Sequence, residues 1–106
     1  MNIVLQGVLR EELERNLQKQ ALFNRELLKY PKGSLVVVMI HGDKYLYRKY
    51  REKDKVISIY IGPVGSEEAN KAYEDRKQFL KLKQVIKELK EEEKNLRKML
   101  KTYGKI

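Results

Sequence analysis

An α+β fold is predicted for this chain, with an N-terminal helix, a three-stranded antiparallel β-meander and a long C-terminal coiled-coil-like helix. Three observations predict it. Leu35-Val36-Val37-Val38-Met39-Ile40 is a β-branched run too short and too well punctuated for a long helix. Two more strand-like segments follow at turn-length intervals, and both flanking stretches place apolar residues at helical spacing without an internal proline.

Residues 1–30 read as the first helix, starting between Asn2 and Val8. Leu9, Leu13, Leu17, Ala21 and Leu28 are assigned to one face, with Glu11, Glu12, Arg15 and Lys19 elsewhere. Tyr30-Pro31 ends it, because proline disfavours the α conformation of the residue before it, and Lys32-Gly33-Ser34 supplies loop chemistry. The meander spans residues 34–61. Gly42-Asp43 is read as the first hairpin loop, since glycine tolerates the positive φ of a primed turn, and Glu52-Lys53-Asp54 as the second. Strand one is 35–40, strand two 44–51 and strand three 55–61, stopped by Gly62-Pro63.

Ser66 is a predicted N-cap, with Glu67 and Glu68 in the first turn where the helix dipole favours carboxylates. The second helix, 66–102, would extend about 54 Å at 1.5 Å per residue. Heptads written with Phe79 at position a place Phe79, Leu82, Ile86, Leu89, Leu96 and Leu100 along one helix-pairing seam, which only Glu93 interrupts. The N-terminal helix is a natural antiparallel or crossing partner for this seam. A homodimer through the C-terminal helix is a second expectation, with Glu93 and Arg97 forming a favourable i to i+4 pair.

At 106 residues the chain is read as one domain. Lys and Arg number 24 against 15 Asp and Glu, a net charge of +9, so its expected partners are anionic. The absence of cysteine excludes disulfides and thiolate chemistry, and a single histidine, His41, excludes multi-histidine metal sites. No set of carboxylates converges in the sequence pattern, and Gly62-Pro63-Val64-Gly65-Ser66 lacks the spacing and Lys-Ser/Thr ending of a phosphate-binding loop. No catalytic residue, metal or cofactor is therefore expected. No apolar run nears the roughly 20 residues that span a bilayer, and the start MNIVLQGVLREELER lacks the basic-then-apolar order of a signal peptide. A cytoplasmic location without membrane attachment is expected.

The positive signal lies in the meander. Four of seven tyrosines, Tyr45, Tyr47, Tyr50 and Tyr60, fall there beside Lys44, Arg48, Lys49, Arg51, Lys53 and Lys55, and residues 31–65 carry seven basic against three acidic residues. Rings can stack on bases while cations neutralise phosphates. Arg76, Lys77, Lys81, Lys83 and Lys87 add a basic ribbon on the second helix, where residues 66–106 carry a net +4 against +1 for residues 1–30. Strand alternation places Tyr45, Tyr47, Lys49 and Arg51 on one face and Lys44, Leu46, Arg48 and Tyr50 on the other, and leaves open which face the helices cover.

PKGSLV, YLYRKYRE and KVISIYIGP, followed by a charged helix, resemble a family of small prokaryotic, phage and mobile-element proteins with a GSL…YxY…KVxxxYIG hairpin flanked by helices. The resemblance covers residues 31–64 and the helices by pattern. It implies the hairpin fold and a phage, transposon or defence-related setting, and carries no chemistry onto particular residues. Val36-Val37-Val38-Met39 departs from that pattern's polar first strand, which points to a protein partner. The expected function is non-catalytic binding of DNA or RNA, or of a nucleic-acid-bound protein. The alternatives are an anti-CRISPR-like inhibitor of a nucleic-acid-processing nuclease and a coiled-coil adaptor.

Overall fold

The computed structural model describes residues 3–103, in the order α1 (Ile3–Leu27), β1 (Ser34–Ile40), β2 (Asp43–Glu52), β3 (Lys55–Pro63) and α2 (Glu67–Tyr103). This is the predicted α+β architecture. The chain divides into two compact units. One holds the chain up to Leu28 together with the chain from Lys81 onward, and the other runs from Lys29 to Leu80.

The first unit is helical. Ile86, Leu89 and Leu96 of the α2 seam are buried, and Leu82 and Leu100 half-buried. On α1 the inward stripe differs from the predicted one: Leu9, Asn16 and Gln20 are buried, with Leu13, Phe23 and Leu27 half-buried, while Leu17 and Ala21 are exposed, and the helix ends at Leu27, short of the predicted residue 30, which leaves the exposed Leu28 beyond it. The reason is geometric. Successive steps of four residues drift about 40° each around a helix of 3.6 residues per turn, so 9-13-17-21 leaves the buried face, whereas alternating steps of three and four stay on it. The α1 start falls at Ile3, within the predicted range of Asn2 to Val8, and Asn2 itself lies outside the described residues.

Two polar side chains occupy that stripe because the seam opposite is also polar. Asn16 Nδ2 donates to the Leu89 carbonyl at 2.8 Å, and Gln20 Nε2 donates to Asn16 Oδ1 at 2.6 Å and to Glu93 Oε1 at 2.9 Å. Arg97 Nε completes the set, donating to Glu93 Oε2 at 2.7 Å. Glu93, which breaks the apolar seam, is thus satisfied within the chain, and the seam residues around it are buried there as well.

The second unit is a meander in the order β1-β2-β3, antiparallel throughout, with the first half of α2. The first hairpin closes one residue earlier than predicted. Ile40 pairs with Asp43, and the loop is His41-Gly42, both with positive φ (51° and 84°) as a type I′ turn requires. Moving the loop by one residue moves each partner by two, so the faces assigned from sequence are unchanged. The second loop is Lys53-Asp54, with Glu52 already paired to Lys55. β3 runs past its predicted end at Ile61, because a register shift leaves Ile61 unpaired and restores pairing at Gly62 and Pro63. Proline donates nothing, and the next amide, Val64, donates to the Lys44 carbonyl at 3.0 Å. At the entry to β1, Gly33 has φ 100°, and a Cβ there would lie 2.2 Å from the Lys49 carbonyl oxygen. Ser66 caps α2 as predicted, its Oγ accepting from the Ala69 amide at 3.2 Å.

Leu89→Asp is expected to lower Tm far more than Lys90→Asp. The first loses a buried leucine that contributes about 1.5–3 kcal/mol and places a charge in the seam, while the second alters an exposed position. Thermal melts of the two variants compare them directly.

Hydrogen bonds from Gln20 and then Arg97 hold the Glu93 carboxyl below its ordinary range, outweighing the opposing desolvation. A lowered folded-state value stabilises above the unfolded carboxylate pKa of about 4.3 and is lost as pH falls through the folded value. The stability gap between wild type and Glu93→Gln should therefore be full at neutral pH and shrink through the acid range. Urea melts at neutral and acid pH measure it.

Candidate nucleic-acid interface

Period-two alternation along β2 divides the candidate residues between two faces, and the structure shows which face is covered. Leu46 is fully buried, as is Ala69 on α2. Arg48 and Ile61 of the sheet line a cleft with Glu68, Lys71, Ala72, Asp75 and Arg76 of α2. The covered face is thus that of Leu46, Arg48 and Tyr50, flanked by Leu35 and Val37 on β1 and by Ile57 and Ile59 on β3.

The opposite face is open. Tyr45, Tyr47, Lys49 and Arg51 project from it, beside Val38 and Val36 of β1 and, through the pairs Tyr47 with Tyr60, Lys49 with Ser58 and Arg51 with Val56, beside β3. Tyr60 joins the two other rings: its centroid is 6.2 Å from that of Tyr45 at an interplanar angle of 49°, and 5.3 Å from that of Tyr47 at 63°. Tyr45 and Tyr47 are half-buried by this packing, whereas Tyr60, Lys49 and Arg51 are exposed. The arrangement offers an edge-to-face aromatic cluster with two cations further along the same strand.

Several predicted site residues do not share that surface. Arg48 and Tyr50 are half-buried on the covered face, because their parity on β2 is that of Leu46. The Arg48 Nε is buried and has no hydrogen-bond partner among the described residues. Arg76 is occupied internally: Nη1 donates to the Gly33 carbonyl at 2.5 Å, and its guanidinium sits 5.1 Å from the Phe79 ring centroid. Lys44 is exposed but has the covered-face parity, and its carbonyl receives the Val64 amide. Lys53 and Lys55 are exposed at the second hairpin and Lys77 on α2. Lys81, Lys83 and Lys87 are exposed in the other unit, with Lys83 and Lys87 one helical turn apart on one side and Lys81 well around from them. Val36, Val38 and Ser58 belong to the open face as well; alternation already sets the two valines beside the tyrosines, whereas Ser58, placed opposite Lys49 by the short second loop, was not singled out from sequence.

Residues 5–71 match a family described as a domain of unknown function, DUF6788. The chain belongs to this family. The DUF6788 match takes in α1 from Leu5 onward, the whole meander and the first turn of α2, so the open tyrosine face lies inside it. No curated protein and no solved structure matches the chain. Among the described residues no group of His, Asp or Glu side chains could hold a metal ion, and no helix is long and apolar enough to cross a membrane.

The two faces should separate on mutation. Arg48→Met removes a buried donor that has no partner among the described residues while keeping most of the stem's volume, and is expected to stabilise by about 1 kcal/mol. Lys49→Ala and Arg51→Ala, on exposed positions, should leave the unfolding free energy within about 0.5 kcal/mol of wild type. Chemical denaturation of the three variants tests the assignment.

Proposed function

We propose that the chain is a non-catalytic nucleic-acid-binding protein that lays a single strand across the open face of the meander. Bases stack on the cluster of Tyr45, Tyr47 and Tyr60, and Lys49 and Arg51 neutralise phosphates. The observation that carries this reading is the joining of three rings and two cations on one uncovered sheet face of a chain with net charge +9. Rings standing on a flat sheet can reach bases that are splayed out, whereas in a duplex the base faces are stacked against one another. The face offers few directional hydrogen-bond groups, so recognition rests on stacking and backbone charge more than on base edges. The exposed Lys53, Lys55 and Lys77 supply additional positive potential in the same unit.

Fluorescence anisotropy with a labelled single-stranded oligonucleotide and the matching duplex, from about 50 to 200 mM salt, tests the reading. Single-strand binding should be the tighter, with a log-log salt slope of about −0.7 per phosphate neutralised. Lys49→Ala and Arg51→Ala should each flatten that slope by about 0.7. Tyr60→Ala, folded by circular dichroism, should weaken binding by about 1–3 kcal/mol. A flat salt response, or equal affinity of wild type and Tyr60→Ala, would overturn the proposal.

A further inference from the structure

The two outer strands of the sheet leave their free edges in different states. β3 carries Lys55 at its start, a bulge at Ile61 and Pro63 at its end, three features that stop a foreign strand from pairing with it. β1 has none of them. It is seven residues, SLVVVMI, without a charge, a proline or a bulge in its pairing with β2. Among the described residues it pairs with β2 alone, and no other backbone or side-chain group bonds to it. Val37 is 47% exposed, Met39 63% and Ile40 41%. An uncharged apolar edge of this length is a template for another strand.

We propose that β1 is the docking edge for a second copy of this chain, joined antiparallel about Val37 so that two three-stranded sheets become one of six strands. The choice of occupant follows from self-complementarity. A two-fold interface requires a strip to match its own reverse. Centred on Val37, β1 sets Val37 against Val37, Val36 against Val38 and Leu35 against Met39, apolar on apolar at each of these positions. Opposed residues of an antiparallel pair project to the same side of the sheet, so the exposed Val37 and Met39 side chains gain apolar neighbours on one side and Val36 and Val38 on the other. A charged foreign peptide would find no charge within the strand to set its register. One strand edge buries an area at the low end of specific interfaces, so the dimer is expected in the micromolar range.

Sedimentation equilibrium of the full chain, from about 1 μM to about 1 mM, should show a monomer–dimer equilibrium. Val37→Lys and Val37→Glu should each be monomeric and folded by circular dichroism, because like charges meet across the two-fold axis. An equimolar mixture of the two should recover a one-to-one dimer. If Val37→Lys loses its fold, Met39→Lys, at a more exposed position, takes its place and should be monomeric. A wild type monomeric at every concentration overturns the proposal, as does a dimer that survives these substitutions and so uses another surface. A mixture of the Lys and Glu variants that stays monomeric also overturns the register about Val37.

Discussion

Burial of Leu46 beneath α2 dictates where the other side chains of β2 point, because strand alternation admits no independent choice once one large apolar residue is fully enclosed. Arg48 and Tyr50 follow Leu46 to the covered side, and Tyr45, Tyr47, Lys49 and Arg51 are left outside. The close approach of Gly33 to the Lys49 carbonyl and the Ser66 cap hold the two ends of the arrangement, at the entry to β1 and at the start of the helix that covers Leu46. A one-residue slip of β2 would enclose tyrosine hydroxyls and a lysine and expose Leu46. The burial energy of one leucine, about 1.5–3 kcal/mol, together with the cost of enclosing a charge, stands against it.

The helical unit is organised by a polar constraint as well as an apolar one. A carboxylate in a seam is costly unless its oxygens are bonded, and Glu93 receives one donor on each oxygen, from Gln20 and from Arg97. Gln20 also bonds Asn16, whose amide reaches the Leu89 carbonyl, so five residues on two helices form a connected chain of hydrogen bonds. Sliding α1 along the seam by one turn would place Gln20 away from Glu93 and leave buried polar groups unpaired. A seam of leucines alone would tolerate that slide far better, so the polar cluster selects one alignment, as single polar residues do in coiled coils.

The elements themselves were legible because their signals are local. A run of β-branched residues, a glycine in three of the four connectors around the strands, a serine before two glutamates and an uninterrupted helical pattern each specify backbone without reference to distant residues. What was not legible depended on partners far along the chain. Asn16 and Gln20 look like surface residues until Leu89 and Glu93, 73 positions away in each case, are placed beside them. Counting apolar residues on α1 then chose Leu17 and Ala21, which face solvent. Arg48 and Arg51 are three residues apart and chemically alike, and the burial of Leu46, a tertiary fact, is what separates them. The His41-Gly42 loop was misplaced by one residue because two adjacent dipeptides, His-Gly and Gly-Asp, can both be written into a primed turn.

The open face has a direction along it that composition alone conceals. Reading β2 from the His41-Gly42 turn toward the Lys53-Asp54 turn, the outward residues are Asp43, Tyr45, Tyr47, Lys49 and Arg51, so the rings precede the cations. Tyr60 reinforces the ring end from β3, whereas the residues paired with Lys49 and Arg51 are Ser58 and Val56, and the one β2 carboxylate of that parity, Asp43, stands at the far end of the strand. At about 3.3 Å per residue the six steps from Tyr45 to Arg51 span about 20 Å. A flexible polyanion with a stacking group on each unit matches both ends of such a track, while a simple polyanion satisfies only the cations and an apolar peptide only the rings. It is the ordering of the two chemistries along one strand, more than the overall basic charge, that favours a single nucleic-acid strand as the occupant of this face.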